Sequence, residues 1–344
     1  MISCASSANT KKPDWVDNIS LVYNRSLYIA AVGSSQDRIT AERNALANLS
    51  AFFGQSVQAD TLTRNTYYEA ARSGAMTKWL ENTEIENVIR TSVSFNTLIG
   101  AEIKEVWHHA KNKIYYAAAV MERQRTIQLY TSMITANLRM INNLVNLNDA
   151  EKYSIEGLSR YRFAGMAADI NIAYANLLNV LNAPLPNGVI GGNDYRLEAR
   201  NISGSIPIII IAPNDRENRI SGAFAKVLSD YGFRIAAAGI GAEISGAESG
   251  AARGGDVNSR YTLYIKIALS QPEYPQNPLV FAQIQLSANL TDNVTGEIIL
   301  PYGFSVRDGH NTAPLAENRA FISAEQRINT EYRKTLDDFL NQLF

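Results

Sequence analysis

The chain contains three histidines, the side chains best suited to bind a metal ion or to transfer a proton near neutral pH. His108 and His109 are adjacent in a predicted hairpin, where successive side chains point to opposite faces, so the two cannot readily bind one ion. His310 follows Asp308-Gly309 in a predicted loop, and no histidine–carboxylate spacing typical of zinc or iron is present. The sequence therefore predicts no metal site and no cofactor.

Motifs typical of nucleotide binding and of nucleophilic catalysis are incomplete or absent. The segment Gly239-Ile240-Gly241 begins like a dinucleotide-binding loop, but Ile244 stands where the third glycine would be required. No phosphate-binding loop ending in Gly-Lys-Ser/Thr and no Gly-x-Ser-x-Gly sequence occurs. The chain is therefore predicted not to be an enzyme.

Carboxylate pairs such as Glu84/Glu86 and Asp337/Asp338 are the remaining candidates for acid–base chemistry. Nothing distinguishes them from the other acidic residues, so we interpret them as solvated charges. A hydrolase with a dispersed site stays open as an alternative, because two catalytic carboxylates need not be neighbours in the sequence.

The single cysteine, Cys4, lies where a lipid anchor could be attached. It follows the small residue Ser3 and precedes a polar segment, so residues 1–12 are predicted to form a flexible tether. This pattern resembles the end of a bacterial lipobox, whose cysteine receives several acyl chains that together anchor a protein stably. The charged segment and apolar core of a signal peptide do not precede Ser3, and the resemblance implies that they lie upstream. The alternative is a free cysteine in a disordered terminus.

Composition argues against two other classes of protein. Lys and Arg number 32 and Asp and Glu 33, for a net charge of −1, and the basic residues are scattered among acidic neighbours. A nucleic-acid-binding protein needs a basic surface to offset phosphates, so no nucleic acid is expected as a partner. No apolar run approaches the roughly 18–20 residues needed to cross a bilayer.

The elements that must position any site begin with a strand and a helix. Residues 26–33 are predicted to form a buried strand that ends at Gly33, and Ser34, Ser35 or Asp37 can cap the helix that follows. That helix carries one apolar stripe at spacings of three or four, which favours packing against a sheet: Ala41, Ala45, Leu49 and Phe52.

These residues resemble a known family. A tryptophan after proline (Pro13, Trp15), the segment 28–34 and the alanine-spaced helix are similar to the twenty-kilodalton (LPP-twenty type) family of bacterial lipoproteins and to the N-terminal domain of flagellar assembly protein T. The resemblance covers about residues 13–125, and its motifs are structural. It implies a lipoprotein of the bacterial envelope and brings no catalytic residues.

Residues 55–83 depart from a minimal domain of that family. They contain Tyr67, Tyr68 and Trp79 among polar residues, which favours an ordered insertion that could contact a ligand or a partner. Ordinary packing of these aromatic side chains is the alternative.

A small antiparallel sheet and a long helical hairpin are predicted to complete the first domain. The strands are 88–95, 99–107 and 114–120, and the hairpin runs from about Met121 to Asn182. The apolar stripe of the hairpin is predicted to pack internally, and a seam for a second subunit is the alternative.

The second half of the chain follows a segment rich in proline and glycine, residues 184–204, which we interpret as a linker. A strand at 206–212, a helix ending at Gly232 and a strand at 233–238 could pair in parallel with a right-handed crossover. Two strands with alternating apolar residues and a turn at 292–296 then predict an antiparallel sheet, closed by a helix from about Pro314. This half resembles the N-terminal domain of the periplasmic protein TolB, which implies a groove or sheet edge for a partner.

The sequence as a whole predicts an α+β protein of two domains, each a small mainly antiparallel sheet packed with helices, with a long helical hairpin ending the first. The predicted domains are 13–183 and 205–344, after the tether at 1–12. The predicted function is that of a non-enzymatic scaffold or interaction module in flagellar or secretion-type envelope assemblies. The lipid at Cys4 would hold it at the outer membrane, facing the periplasm or the cell surface. A periplasmic module that binds a ligand in the aromatic insertion or an interdomain cleft is the alternative.

Overall fold

The structure is a computed structural model that describes residues 11–53, 67, 100–236, 259–271 and 279–341. Two small sheets are each packed with helices, which confirms the predicted α+β class. Contacts group the chain into two compact units: Met1–Leu144 with Phe163–Asn193, and Val145–Arg162 with Asp194–Phe344. The chain therefore passes between the units three times.

The first unit contains an antiparallel sheet of three strands in the order β1-β3-β2. The strands are β1 (Tyr28–Ser35), β2 (Glu102–His109) and β3 (Ile114–Glu122). All three lie close to their predicted positions. The strand predicted at 88–95 lies outside the described residues.

A helix, α1 (Arg38–Ala51), packs on this sheet through three residues of the predicted stripe, Ala41, Ala45 and Leu49, which are buried. The prediction for Phe52 is wrong: the helix ends before it, Phe52 is 52% exposed, and Phe53 is buried instead. Asp37 is the cap, because its carboxylate accepts the backbone N–H of Thr40 at 2.8 Å. The helix lies very close to β1 at Gly33. A Cβ atom at that position would lie 2.1 Å from the backbone nitrogen of Ala45, so only glycine permits this packing.

The predicted helical hairpin is present as α2 (Arg123–Val145) and α3 (Ile155–Val180). A short helix, Asp149–Lys152, opens the turn with a capping box between Asn148 and Glu151. The side chains of Asn137 and Asn171 connect the two long helices through a hydrogen bond of 2.9 Å. In the described ranges, no helix is long and apolar enough to cross a membrane.

The tip of the hairpin groups with the second unit. The hydroxyl of Tyr261 accepts the backbone N–H of Ile155 at 3.0 Å, and Ile155 and Leu158 belong to the second core. A helix that the sequence did not predict, α4 (Asn193–Ser205), occupies the second half of the segment interpreted as a linker. The contacts of these two segments explain why the units differ from the predicted domain boundaries.

The second unit contains a sheet of five strands in the order β5-β4-β6-β7-β8. The strands are β4 (Pro207–Ile211), β5 (Arg234–Ala236), β6 (Tyr261–Ser270), β7 (Val280–Asp292) and β8 (Glu297–His310). Strand β4 pairs in parallel with β5 and β6, and the remaining pairs are antiparallel. The helix between β4 and β5, α5 (Arg219–Asp230), gives the predicted strand–helix–strand unit. His310 ends β8 and does not lie in a loop as predicted.

A C-terminal helix covers one face of β7 and β8. It consists of α6 (Ala313–Arg327), a π-helical turn (Ile328–Tyr332) and α7 (Arg333–Leu340). The buried face of α6 carries alanines at every fourth position, namely Ala316, Ala320 and Ala324. On the opposite face of β7, Gln285 and Ser287 are exposed, as the alternation predicts.

Candidate functional site

Most residues predicted to contact a lipid, ligand or partner lie outside the described residues: Cys4, Tyr68 and Trp79. Tyr67 is described and fully buried in the first unit. Its hydroxyl donates to Asn137 Oδ1, and its ring stacks on Phe163 with 6.0 Å between ring centroids. This placement favours ordinary packing, the alternative that the sequence left open.

The two adjacent histidines lie on opposite faces of β2, as expected from the two-residue period of a strand. The ring of His108 stacks on Tyr115 at a centroid distance of 4.3 Å, whereas His109 meets Trp107 edge to face at 5.3 Å. Among the residues that the structure describes, no group of three or more His, Cys, Asp or Glu side chains could hold a metal ion.

The carboxylate pair in the described part of the second unit has an ordinary role. Asp337 receives a hydrogen bond of 2.8 Å from the guanidinium of Arg162, which makes it half of an ion pair. The other pair, Glu84/Glu86, and the glycine-containing segment 239–244 lie outside the described residues.

An open groove of about 420 Å³ lies beside β2 in the first unit. Arg38 from the first turn of α1, Tyr115 from β3 and five residues of β2 line it: Ile103, Lys104, Glu105, Val106 and His108. Among the described residues, no strand pairs with the outer edge of β2. Within the described ranges, the groove therefore follows an edge strand of the sheet.

A β-bulge shapes this groove. The pairing of β2 with β3 shifts between Ile103 and Glu105, so that Lys104 is the extra residue. The carboxylate of Glu105 accepts two hydrogen bonds of 2.8 Å, from the indole N–H of Trp15 and from the hydroxyl of Tyr23. Burial raises the pKa of Tyr23, and the hydrogen bond to Glu105 raises it further, which keeps the hydroxyl a donor. These contacts hold the bulge in place.

Two cations border the groove, and each is paired with a carboxylate. Arg38 Nε lies 2.9 Å from Glu42 Oε1, and Lys104 Nζ lies 2.6 Å from Glu102 Oε1. The side chains of Arg38 and Lys104 are 65% and 45% exposed. Exposed pairs of this kind contribute little to stability, so either cation can exchange its partner for an incoming carboxylate at small cost.

This arrangement suits binding better than catalysis. Among the described lining residues, Glu105 is the only carboxylate and is occupied by two donors, and none is a serine or a cysteine that could act as a nucleophile. The stacked rings of His108 and Tyr115 offer a flat surface, and the cations offer charge. The groove can therefore contact an extended chain that carries acidic and apolar side chains.

Solved structures of several bacterial proteins are similar to all or part of this chain. A secreted protein of Helicobacter pylori is similar over 90% of this chain and 98% of its own, with 12% identity and a TM-score of 0.44. A lipoprotein of Neisseria meningitidis is similar over 36% of this chain and 99% of its own, with 18% identity and a TM-score of 0.23. A minor lipoprotein of Acinetobacter baumannii is similar over 38% of this chain and 94% of its own, with 8% identity and a TM-score of 0.25. No family model and no curated protein sequence matches the chain.

Proposed function

We propose that this chain is a non-enzymatic lipoprotein of the bacterial envelope, anchored in the outer membrane through Cys4, which acts as a scaffold or protein-interaction module. The observation that carries the proposal is the groove along the edge strand β2. An extended segment of a partner can add to such an edge, because its backbone supplies hydrogen bonds while the groove side chains supply specificity.

The side chains that line the groove limit the kind of partner segment that can bind there. Arg38 and Lys104 attract carboxylates, and the stacked rings of His108 and Tyr115 accept an apolar side chain. The partner that fits is an extended acidic segment of another envelope protein, in a flagellar or secretion-type assembly. The bulge at Lys104 selects against strands that need a straight edge.

Photo-crosslinking in cells tests the groove. A photoreactive phenylalanine analogue replaces Val106, an uncharged lining residue, in the full-length precursor, and we expect a discrete crosslinked product with one envelope protein. Arg38→Glu reverses a charge in the groove and should abolish that product. Lys226→Glu is the matched control, because Lys226 is exposed on α5 in the second unit and should leave the product unchanged. The proposal fails if no product forms, or if Arg38→Glu has no effect in a variant that is still folded by circular dichroism.

Metabolic labelling with palmitate tests the anchor. The full native precursor should incorporate the label and fractionate with membranes, whereas Cys4→Ser should lose both properties. A wild-type chain that stays unlabelled and soluble would remove the anchor from the proposal.

A further inference from the structure

Three exposed apolar side chains lie close together in the sequence near the start of the described chain. Leu21 is 70% exposed, Val22 48% and Leu27 57%, and we call these residues the aliphatic patch. Single exposed apolar residues are normal on a protein surface, but these three occur within seven consecutive residues. Grouped apolar exposure of this kind marks contact with another molecule or with a membrane.

The segment that carries the aliphatic patch is fixed by polar contacts. Tyr23, between the patch residues, is held by its hydrogen bond of 2.8 Å to Glu105. Arg25 Nε donates to Ser20 Oγ at 2.8 Å and so joins the two ends of the segment. The chain therefore turns an aromatic side chain toward the sheet and holds the aliphatic ones in solvent.

The aliphatic patch lies near the point where the chain leads back to Cys4. Backbone hydrogen bonds of 3.1 Å from Val16 to Pro13, from Asn18 to Asp14 and from Leu21 to Asn18 form successive tight turns. Lys11 follows Cys4 after seven residue steps, and a chain of that length spans at most about 25 Å in any conformation. A lipid on Cys4 would therefore keep this end of the first unit close to the bilayer.

The charges around the aliphatic patch agree with a lipid surface. Lys11, Lys12 and Arg25 outnumber the acidic residues of the same segment, Asp14 and Asp17. Lys12 pairs with Asp17, while Lys11 is exposed. A small excess of positive charge favours anionic phospholipids.

We propose that Leu21, Val22 and Leu27 form a second, reversible contact with the phospholipid bilayer, so that this end of the first unit rests on the membrane surface. The inference rests on the proposed function, because the anchor at Cys4 is what brings the patch to the membrane. Three aliphatic side chains bind a bilayer weakly by themselves. The lipid at Cys4 holds the patch near the bilayer at a high effective concentration, so that even a weak contact is occupied for much of the time.

Fluorescence on vesicles tests this contact without relying on native lipidation. The chain carries Cys4→Ser and an N-terminal hexahistidine. The nitrobenzoxadiazole dye is attached to the single thiol that Leu21→Cys introduces. It is tethered to vesicles of phosphatidylethanolamine and phosphatidylglycerol that contain a nickel-chelating lipid. We expect the emission to shift to the blue and the dye to become protected from iodide in solution. The matched control carries the dye on Val294→Cys, since Val294 is 75% exposed in the second unit and should stay in water.

A second variant measures how much the patch contributes. With the dye at position 21, Val22→Ser together with Leu27→Ser should lower the ratio of protected to accessible dye roughly tenfold, which corresponds to about 1.4 kcal/mol. Equal iodide access at positions 21 and 294 would overturn the inference, as would equal protection at both. Palmitate labelling reports on the anchor separately: a labelled Cys4 with an accessible position 21 overturns only the membrane contact. An unlabelled Cys4 with a protected position 21 supports the lipid affinity of the patch and overturns the anchor.

Discussion

In the part of the chain that the structure describes, the two sheets differ in what lies along an edge strand. In the second unit, α6 reaches the 14-residue strand β8 with two arginines. Arg327 Nη1 donates to the backbone oxygen of Ser305 at 3.1 Å, and Arg319 Nη1 to that of Gly309 at 3.3 Å. In the first unit, the edge strand β2 instead carries the bulge at Lys104 and the open groove.

An uncovered edge strand is a template for another chain, and proteins usually block it. Arginine donors on the carbonyls of β8 compete with an incoming strand for the same acceptors. A bulge only bends the strand and changes the direction of side chains, so β2 can still accept a partner of suitable shape. Under the proposed function, the partner contact lies on β2 of the first unit and not on β8 of the second, and this comparison leads to three predictions.

The largest effect is expected at Gly33, where the first unit depends on close packing of α1. Gly33→Val would place side-chain atoms inside the backbone of the helix at Ala41 and Ala45, and we expect it to cost about 3 kcal/mol. Because α1 carries Arg38, the groove should be lost with the helix. Hydrogen exchange should show reduced protection of β1, β2 and β3 and unchanged protection of β6, β7 and β8.

Gly222→Ala is the matched control for this prediction. Gly222 is exposed within α5, and a Cβ atom there would meet no atom within 4 Å. Alanine should therefore stabilise the helix of the second unit by roughly 0.5–1 kcal/mol. Equal loss of protection in both sheets after Gly33→Val would contradict the idea that each unit has its own core.

Effects of intermediate size on the free energy of unfolding are expected at two buried tyrosines. Removing the hydroxyl should destabilise the protein at one and stabilise it at the other. In the first unit, Tyr67 donates to Asn137, so Tyr67→Phe leaves a buried acceptor unpaired and should cost about 1–3 kcal/mol. In the second unit, Tyr332 is 1% exposed, and its hydroxyl has no hydrogen-bond partner among the described residues. Tyr332→Phe should therefore stabilise the protein by up to about 1 kcal/mol.

Urea unfolding of both variants measures these two effects. The aromatic packing is kept in each, since Phe replaces Tyr and the ring of Tyr332 stays against Phe224, 4.7 Å away between centroids. A loss of stability in both phenylalanine variants would show that the hydroxyl of Tyr332 finds a partner, such as a buried water molecule.

The sequence predicted those parts of the fold that local patterns encode. The stripe of α1, the hairpin of α2 and α3 and the turn at 292–296 all follow from spacing or turn residues. Helix α4 was missed because its segment is rich in polar residues and follows glycines. Burial of Ala199 and Ile202 in the second core stabilises it, and such contacts are not visible in local sequence.

The groove could not be predicted, because its residues come from three separate elements. Arg38 and Tyr115 meet only when α1 lies on the sheet, and the bulge at Lys104 depends on the register between β2 and β3. The prediction that His108 and His109 point to opposite faces of the strand was correct, because successive side chains alternate along any strand. Sequence alone thus located the strand but not the site on it.

The smallest effect is expected at Asp37, the cap that sets the first turn of α1 and with it Arg38. The backbone N–H and the hydroxyl of Thr40 donate to its carboxylate and lower its pKa below the unfolded value of about 3.9. Because the folded pKa is the lower one, the stabilisation is complete above the unfolded pKa and is lost as the pH falls through the folded pKa.

Asp37→Asn keeps an acceptor oxygen but removes the charge. The variant should therefore be less stable than wild type near pH 7, and the difference in urea unfolding should be smaller at a pH below the unfolded pKa. Asp37→Ala removes the acceptor as well and should lose stability at both pH values. If the difference between wild type and Asp37→Asn were the same at both, the cap would act through hydrogen-bond geometry alone, and charge would have no part in placing Arg38 beside the groove.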